Sequence, residues 1–181
     1  YLGEKHNFEV NLNLPFCQDD ELPWDEVCSH TIKSTAEALA RGKIVAWYQG
    51  HGEMGPRALG NRSILYDPTD PNGKNHVNDV KKREWYRPFA GTILHEYQDE
   101  YFDLKNLKES PFMMYAVNVK NNKLPAITHI DKTCRIQTLK KEQNLHYYNL
   151  IKTFRKKTGI PVLFNTSFNL SGDCIVETIE D

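Results

Sequence analysis

KKTGIPVLFN, residues 156–165, joins the end of one regular element to the start of another. The glycine at its centre, Gly159, is typical of the residue that ends a helix. Residues 142–157 before it place apolar side chains three, four and seven positions apart, as one helix face requires; these are Tyr147, Leu150, Ile151 and Phe154. Residues 161–165 form an apolar run with the length of a buried strand. The junction predicts a helix that leads into a strand, which is the repeating unit of an α/β fold.

The segments outward from this junction repeat the alternation. A helical pattern begins at Pro23 and ends at Gly42, and a short helix is predicted at residues 75–83. Strands are predicted at residues 43–49, 63–66, 91–94, 112–119, 126–130 and 135–139. Because two strand pairs look like hairpins, the sheet should be mixed. We predict the α/β class: a single domain at residues 23–181, with a twisted mixed sheet and flanking helices, after an entry segment or linker at residues 1–22.

The composition fits one compact domain without a strong electrostatic field. In a chain of 181 residues, 39% of them hydrophobic, 23 basic residues are balanced by 24 acidic ones. The net charge of −1 gives no argument for a nucleic-acid partner, and no apolar run is long enough to span a membrane. The four cysteines are scattered, which favours free thiols over disulfides or zinc. With no signal-peptide pattern in the first residues, these features predict a cytoplasmic location.

Residues 50–63 are rich in glycine and contain two arginines. The first six, GHGEMG, match the dinucleotide-binding pattern G-x-G-x-x-G, but Gly60 and Asn61 would stop the required helix within a turn. We therefore reject that assignment. Glycine-rich backbone can approach an anion closely, and guanidinium groups bind phosphate oxygens, so Arg57 and Arg62 are candidate phosphate ligands. A structural turn with two solvated arginines is the alternative.

A second basic cluster is KKREWYRPF, residues 81–89. Lys81 and Arg83 lie at the end of a predicted helix, whereas Arg87 precedes a proline and should begin an extended segment. Their side chains could converge on one anion. Cations near the last carbonyl groups of a helix are also a common stabilising arrangement, so the cluster alone does not decide between the two.

A third segment, residues 129–137, is a turn followed by a strand on which Arg135 projects from the face opposite the core. His129 and Asp131 are two possible metal ligands without a third, and we predict no metal site. The fourth segment, residues 165–172, follows the apolar strand and is rich in amides and hydroxyls; its candidates are Asn165, Thr166, Ser167 and Asn169. Such a loop at the carboxyl end of a strand is the usual place for a ligand in an α/β sheet.

Together these segments closely resemble the C-terminal half of the NodU/CmcH-type O-carbamoyltransferases. The resemblance spans nearly the whole chain and rests on GPRALGNRSIL at residues 55–65, KKREWYRPFA at residues 81–90 and NTSFN at residues 165–169. It implies a YrdC-like adenylation domain with a KxR motif, here Lys81 and Arg83, and an SxN motif, here Ser167 and Asn169. It also implies that the chain is a fragment of a longer protein.

The resemblance implies a reaction of carbamoyl phosphate with ATP, accompanied by Mg²⁺, that gives carbamoyl adenylate. A separate N-terminal domain holding iron would then pass the carbamoyl group to a small-molecule hydroxyl acceptor. The residues implied in catalysis are Lys81, Arg87 and Arg135. Those implied in binding ATP or carbamoyl phosphate are Arg57, Arg62, Arg83, His129, Asn165, Thr166, Ser167 and Asn169, with His129 as a polar wall.

Two alternatives remain open from the sequence. One is a module that binds nucleotide without catalysis. The other is RNA binding, which the near-neutral charge and the lack of interleaved aromatic and basic residues disfavour.

Overall fold

A computed structural model describes residues 24–53, 55–178 and 180–181, with side chains from residue 28 onward. The predicted entry segment at residues 1–22 lies outside these ranges. The helices are α1 (Trp24–Ala40), α2 (Gly73–Val80), α3 (Gln98–Tyr101) and α4 (Leu145–Thr158), with a 3₁₀ turn at His95–Tyr97. The strands are β1 (Val45–Tyr48), β2 (Arg62–Tyr66), β3 (Ala90–Leu94), β4 (Phe102–Asp103), β5 (Tyr115–Val119), β6 (Thr133–Leu139) and β7 (Val162–Ser167).

The strands form one seven-stranded sheet in the order β1-β2-β7-β3-β6-β5-β4. The β3–β6 pair is parallel and the other pairs are antiparallel. The predicted α/β class with a mixed sheet is therefore confirmed. The order places β7 between β2 and β3. The strand predicted at residues 161–165 therefore lies inside the sheet, with residues 162–165 buried.

Helices α1 and α4 cover one face of the sheet. The apolar side of α4 is fully buried there, as its spacing predicted, and packs with Leu39 of α1 and with Leu65, Leu139 and Leu163 of the sheet. The side chain of Asn144 caps the start of α4 by accepting a hydrogen bond from Tyr147 N, and Gly159 ends the helix at φ 80°. The other face of the sheet packs against α2 and against the loops before and after β5, around Val77, Phe89 and Phe164.

Some predicted elements are wrong. Residues 126–130 form no strand, because Ile127 N and Thr128 N both donate hydrogen bonds to Leu124 O and close a turn. The apolar Ala126 and Ile127 are buried by tertiary packing rather than by pairing in the sheet. The strand predicted at residues 112–119 begins only at Tyr115, after Met113 at a positive φ of 55°.

The prediction also missed α3 and the two-residue strand β4, which are too short to show a period. Three of the four cysteines, Cys28, Cys134 and Cys174, are free thiols as expected, and Cys17 lies outside the described residues. Over those residues, none of the helices has both the length and the hydropathy needed to cross a bilayer.

Candidate functional site

A cleft of about 270 Å³ opens where β3, β6 and β7 meet two loops. The loops are the glycine-rich connection from β1 to β2 and the connection from α2 to β3. The lining residues are Pro56, Arg57, Ala58, Arg83, Arg87, Pro88, Phe89, Ala90, Met113, Arg135, Asn165, Thr166 and Ser167. Seven of these were candidates from the sequence: Arg57, Arg83, Arg87, Arg135, Asn165, Thr166 and Ser167. Segments up to 110 residues apart in the chain (Arg57 to Ser167) thus meet at one place.

The loop that carries Arg57 is held by the carboxylate of Glu53. Its Oε1 accepts hydrogen bonds from the backbone N–H of Leu59 (2.7 Å) and Asn61 (3.1 Å), and its Oε2 accepts one from Arg62 N (3.1 Å). Burial raises the pKa of Glu53, although these hydrogen bonds act in the opposite direction. Gly60 is required in the same loop, because a Cβ there would lie 2.6 Å from Tyr147 Cε1.

The loop that carries Arg83 and Arg87 is held by Asn78, which is 1% exposed on α2. Its Nδ2 donates to Trp85 O and Arg87 O, each at 3.3 Å, and its main-chain O accepts from Arg83 N at 3.0 Å. The Arg83 guanidinium stacks 4.4 Å from the ring centroid of Phe89. Arg87 Nε pairs with Glu84 Oε2 at 2.7 Å. These contacts fix where the two guanidinium groups stand.

The cleft concentrates positive charge. Four guanidinium groups line it, and no carboxylate does so within the part of the chain that the structure describes. Burial, followed by the charge of Arg87, lowers the pKa of Arg83. Burial, followed by the charge of Arg57, lowers the pKa of Arg135. Like charges held this close favour binding of an anion with several oxygens, since such a ligand replaces repulsion with charge-assisted hydrogen bonds.

Lys81 and Asn169, two other predicted residues, lie behind the cleft wall. Lys81 is 2% exposed, and its Nζ donates to Ser167 O (2.6 Å), Asn169 O (2.7 Å) and Asn169 Oδ1 (2.9 Å). Ser167 Oγ also donates to Asn169 Oδ1 at 2.6 Å. Burial, followed by the charge of Arg83, lowers the pKa of Lys81 to about 8. All three ammonium protons have protein acceptors, and one of these contacts holds the carbonyl group of Ser167 at the cleft wall.

Arg62 and His129 are the remaining candidates, and neither lines the cleft. Arg62 is 1% exposed; its guanidinium donates to Gln49 O at 2.6 Å and Glu177 O at 3.1 Å. His129 Nε2 donates to Phe89 O at 3.0 Å, and so supports the strand start next to the cleft. The guanidinium group of Arg62 is thus held by main-chain carbonyl oxygens.

Sequence reasoning missed three residues that shape the site. Glu53 and Asn78 position the two arginine-bearing loops, and Met113 lines the cleft. Glu53 carried one usable signal, an acidic side chain inside a glycine-rich segment whose N–H groups need acceptors. Nothing in the sequence marked Asn78 or Met113. The partners of Asn78 are main-chain atoms of a loop five to nine positions later, and Met113 reaches the cleft from a turn in which its own φ is positive.

Comparison with known proteins gives consistent results. The model of the Carbamoyltransferase C-terminus family matches residues 36–181. The nodulation protein NolO of Bradyrhizobium diazoefficiens is 43% identical over 185 residues, which cover 99% of this chain and 33% of that protein. The nodulation protein NolNO of Sinorhizobium fredii is 47% identical over 161 residues, 86% of this chain and 24% of that protein.

The chain is also similar to an enzyme of known reaction class and to a solved structure. A 3′-hydroxymethylcephem-O-carbamoyltransferase of Streptomyces clavuligerus is 36% identical over 195 residues, covering 100% of this chain and 35% of that enzyme. The chain thus spans about a quarter to a third of these relatives. In the solved structures, full-length HypF in a phosphate- and nucleotide-bound form matches with a TM-score of 0.62 at 22% identity, over 82% of this chain and 22% of that one. This likeness supports the predicted YrdC-like fold.

Proposed function

This chain belongs to the Carbamoyltransferase C-terminus family, and from that membership we propose that it binds ATP and carbamoyl phosphate and forms carbamoyl adenylate. The observation that carries the proposal is the cleft with four guanidinium groups and no lining carboxylate among the described residues. A triphosphate and an acyl phosphate are both polyanions, and both need several cations within hydrogen-bond reach.

The proposed reaction has two balanced steps. Water cleaves carbamoyl phosphate to carbamate and inorganic phosphate. A carbamate oxygen then attacks the α-phosphorus of ATP, the bond from that phosphorus to the bridging oxygen breaks, and pyrophosphate leaves. The transition state of the second step is a crowded polyanion. Catalysis therefore consists mainly of placing the reactants and stabilising negative charge with fixed donors.

The residues divide by position. Arg57, Arg83, Arg87 and Arg135 would bind phosphate oxygens, because their guanidinium groups border the cleft. Lys81 would act through Ser167, whose carbonyl oxygen it holds. This differs from the direct catalytic role that the resemblance implied for Lys81, since the structure leaves its ammonium group no free proton.

Mg²⁺ would enter as part of the ATP complex. Mg²⁺ prefers oxygen ligands, above all carboxylates, phosphates and water. Because no carboxylate lines the cleft in the described ranges, the phosphates and water would supply its ligands.

Transfer of the carbamoyl group to a hydroxyl acceptor would require a further part of the whole protein. The relatives are roughly three to four times as long as the matched region. We propose that their remaining length corresponds to the iron-holding N-terminal transferase domain that the resemblance implies. The isolated chain should then form the adenylate without carbamoylating alcohols at an enzymatic rate.

Exchange of radiolabelled pyrophosphate into ATP tests the proposal. Exchange that depends on carbamoyl phosphate is the expected result. Lys156→Ala is the control variant: it removes an exposed cation from α4 that does not line the cleft, so its exchange rate should be unchanged. ATP binding without exchange would contradict adenylation and favour a nucleotide-binding module. RNA binding that falls steeply with salt, in the absence of ATP binding, would favour the RNA alternative.

A further inference from the structure

Asn165 lies on β7 at the floor of the cleft and is 1% exposed. Its Nδ2 donates two hydrogen bonds, to Ala58 O at 3.1 Å and to Thr92 Oγ1 at 3.0 Å. One acceptor belongs to the arginine-bearing loop and the other to the neighbouring strand β3. The amide is thus held from two sides.

The neighbouring groups determine which way this amide points. Thr92 Oγ1 donates to Gln137 Oε1 at 2.8 Å, and Gln137 Nε2 donates to Leu59 O at 3.0 Å. The two ends of the chain of hydrogen bonds, Ala58 O and Leu59 O, are main-chain carbonyl oxygens, which can only accept. Rotating the amide of Asn165 would set oxygen against oxygen. The nitrogen therefore faces the loop, and Oδ1 faces away from it.

Among the described residues, Oδ1 of Asn165 has no hydrogen-bond partner although it is buried. An unsatisfied buried acceptor is destabilising, so a ligand that donates to it gains binding energy. The rest of the lining supplies mainly donors in the form of guanidinium groups. An acceptor on the floor of such a cleft fits a ligand with both anionic oxygens and an N–H group.

We infer that Asn165 Oδ1 accepts a hydrogen bond from the –NH₂ of the carbamoyl group, which makes Asn165 the residue that distinguishes carbamoyl from acetyl or other acyl groups. This inference rests on the proposed function. A carbamoyl and an acetyl group have nearly the same shape and differ in –NH₂ against –CH₃. Shape alone cannot separate them, whereas a fixed acceptor can, because it stays unpaired against the methyl group.

Two adenylate analogues test the inference without requiring activity: 5′-O-(N-carbamoylsulfamoyl)adenosine and 5′-O-(N-acetylsulfamoyl)adenosine. Isothermal titration of the 181-residue chain should show about 10- to 100-fold tighter binding of the carbamoyl compound, the range expected for one unpaired buried acceptor. Asn165→Leu should abolish that preference.

Circular dichroism and urea unfolding check that each variant is folded; Asn165→Ala replaces the leucine variant if that one does not fold. Equal binding of both analogues by the unchanged chain would overturn the inference while leaving the proposed function standing. A preference that persists in folded Asn165→Leu would also overturn it. Failure of the unchanged chain to bind ATP and both analogues would instead reject the proposed function.

Discussion

The ammonium group of Lys81 donates a hydrogen bond to the carbonyl oxygen of Ser167 across 2.6 Å. This contact joins the C-terminal end of α2 to the last residue of β7, 86 positions later in the chain. The KxR and SxN motifs are therefore one structural unit. Lys81 lies beneath the cleft wall, and Arg83 and Ser167 border the cleft.

Lys81→Ala should lower both stability and pyrophosphate exchange. The change removes the three hydrogen bonds that Lys81 Nζ donates to Ser167 and Asn169 and leaves a gap at a buried position, which should reduce the free energy of unfolding by about 3 kcal/mol. Lys82→Ala is the control, because Lys82 is exposed and should change stability by about 0.5 kcal/mol or less. Urea unfolding measures the stability of both variants, and pyrophosphate exchange measures their activity. Equal, mild effects would show that Lys81 is an ordinary helix-end cation.

Arg135→Ala should weaken ATP binding without weakening the fold. The Arg135 side chain forms no ion pair with any residue that the structure describes, and burial and Arg57 disfavour its charge. Its loss should weaken ATP binding about 10- to 100-fold, as expected for one charge-assisted contact. Isothermal titration and urea unfolding separate the two effects. A loss of stability with unchanged ATP affinity would contradict the assignment of Arg135 to the site.

Glu53→Ala should disorganise the loop that carries Arg57. Three backbone N–H groups would lose their acceptor, and the free energy of unfolding should fall by about 2 kcal/mol. ATP affinity should fall as well, although Glu53 does not line the cleft. Glu142→Ala removes an exposed carboxylate and should change neither quantity. Unchanged ATP affinity in Glu53→Ala would show that the loop does not need this clamp.

The same carboxyl group predicts a dependence on pH. Burial raises the pKa of Glu53 above its ordinary value of 4.5, so the folded chain keeps this proton to a higher pH than the unfolded chain does. The stability it contributes is fully present below the unfolded pKa and is lost as pH rises through the folded pKa. The difference in unfolding free energy between the unchanged chain and Glu53→Ala should therefore be larger near about pH 4.5 than near about pH 7. A difference that grows with pH would contradict the raised pKa.

Gly60→Ala and Gly159→Ala form a matched pair. Both glycines have positive φ, 108° and 80°, but a Cβ at Gly60 would enter the ring of Tyr147, whereas nothing lies within 4 Å of one at Gly159. Gly60→Ala should cost about 2 kcal/mol more than Gly159→Ala, because it adds overpacking to backbone strain. Urea unfolding gives both values. Equal costs would show that the Tyr147 ring can move aside.

The sequence by itself determined the local elements and the chemistry of the clusters. The apolar period of α4 and the apolar run of β7 follow from residues a few positions apart, so both were predictable. The motifs at residues 55–65, 81–90 and 165–169 identified the family and contain six of the seven candidate residues that line the cleft; the seventh, Arg135, lies on β6. Arginine and glycine in these motifs predicted anion binding before the fold was known, because guanidinium groups are good phosphate ligands.

Only the tertiary structure decided which cations face the cleft. Lys81, Arg62 and Arg57 are all basic residues in motifs, but Lys81 Nζ and Arg62 Nη1 donate to main-chain carbonyl oxygens, while Arg57 borders the open space. The strand order and the orientation of the Asn165 amide were equally invisible. Each depends on partners dozens of residues away in the chain, and a hydrogen bond or a packed contact is fixed by distance in space rather than by spacing in sequence.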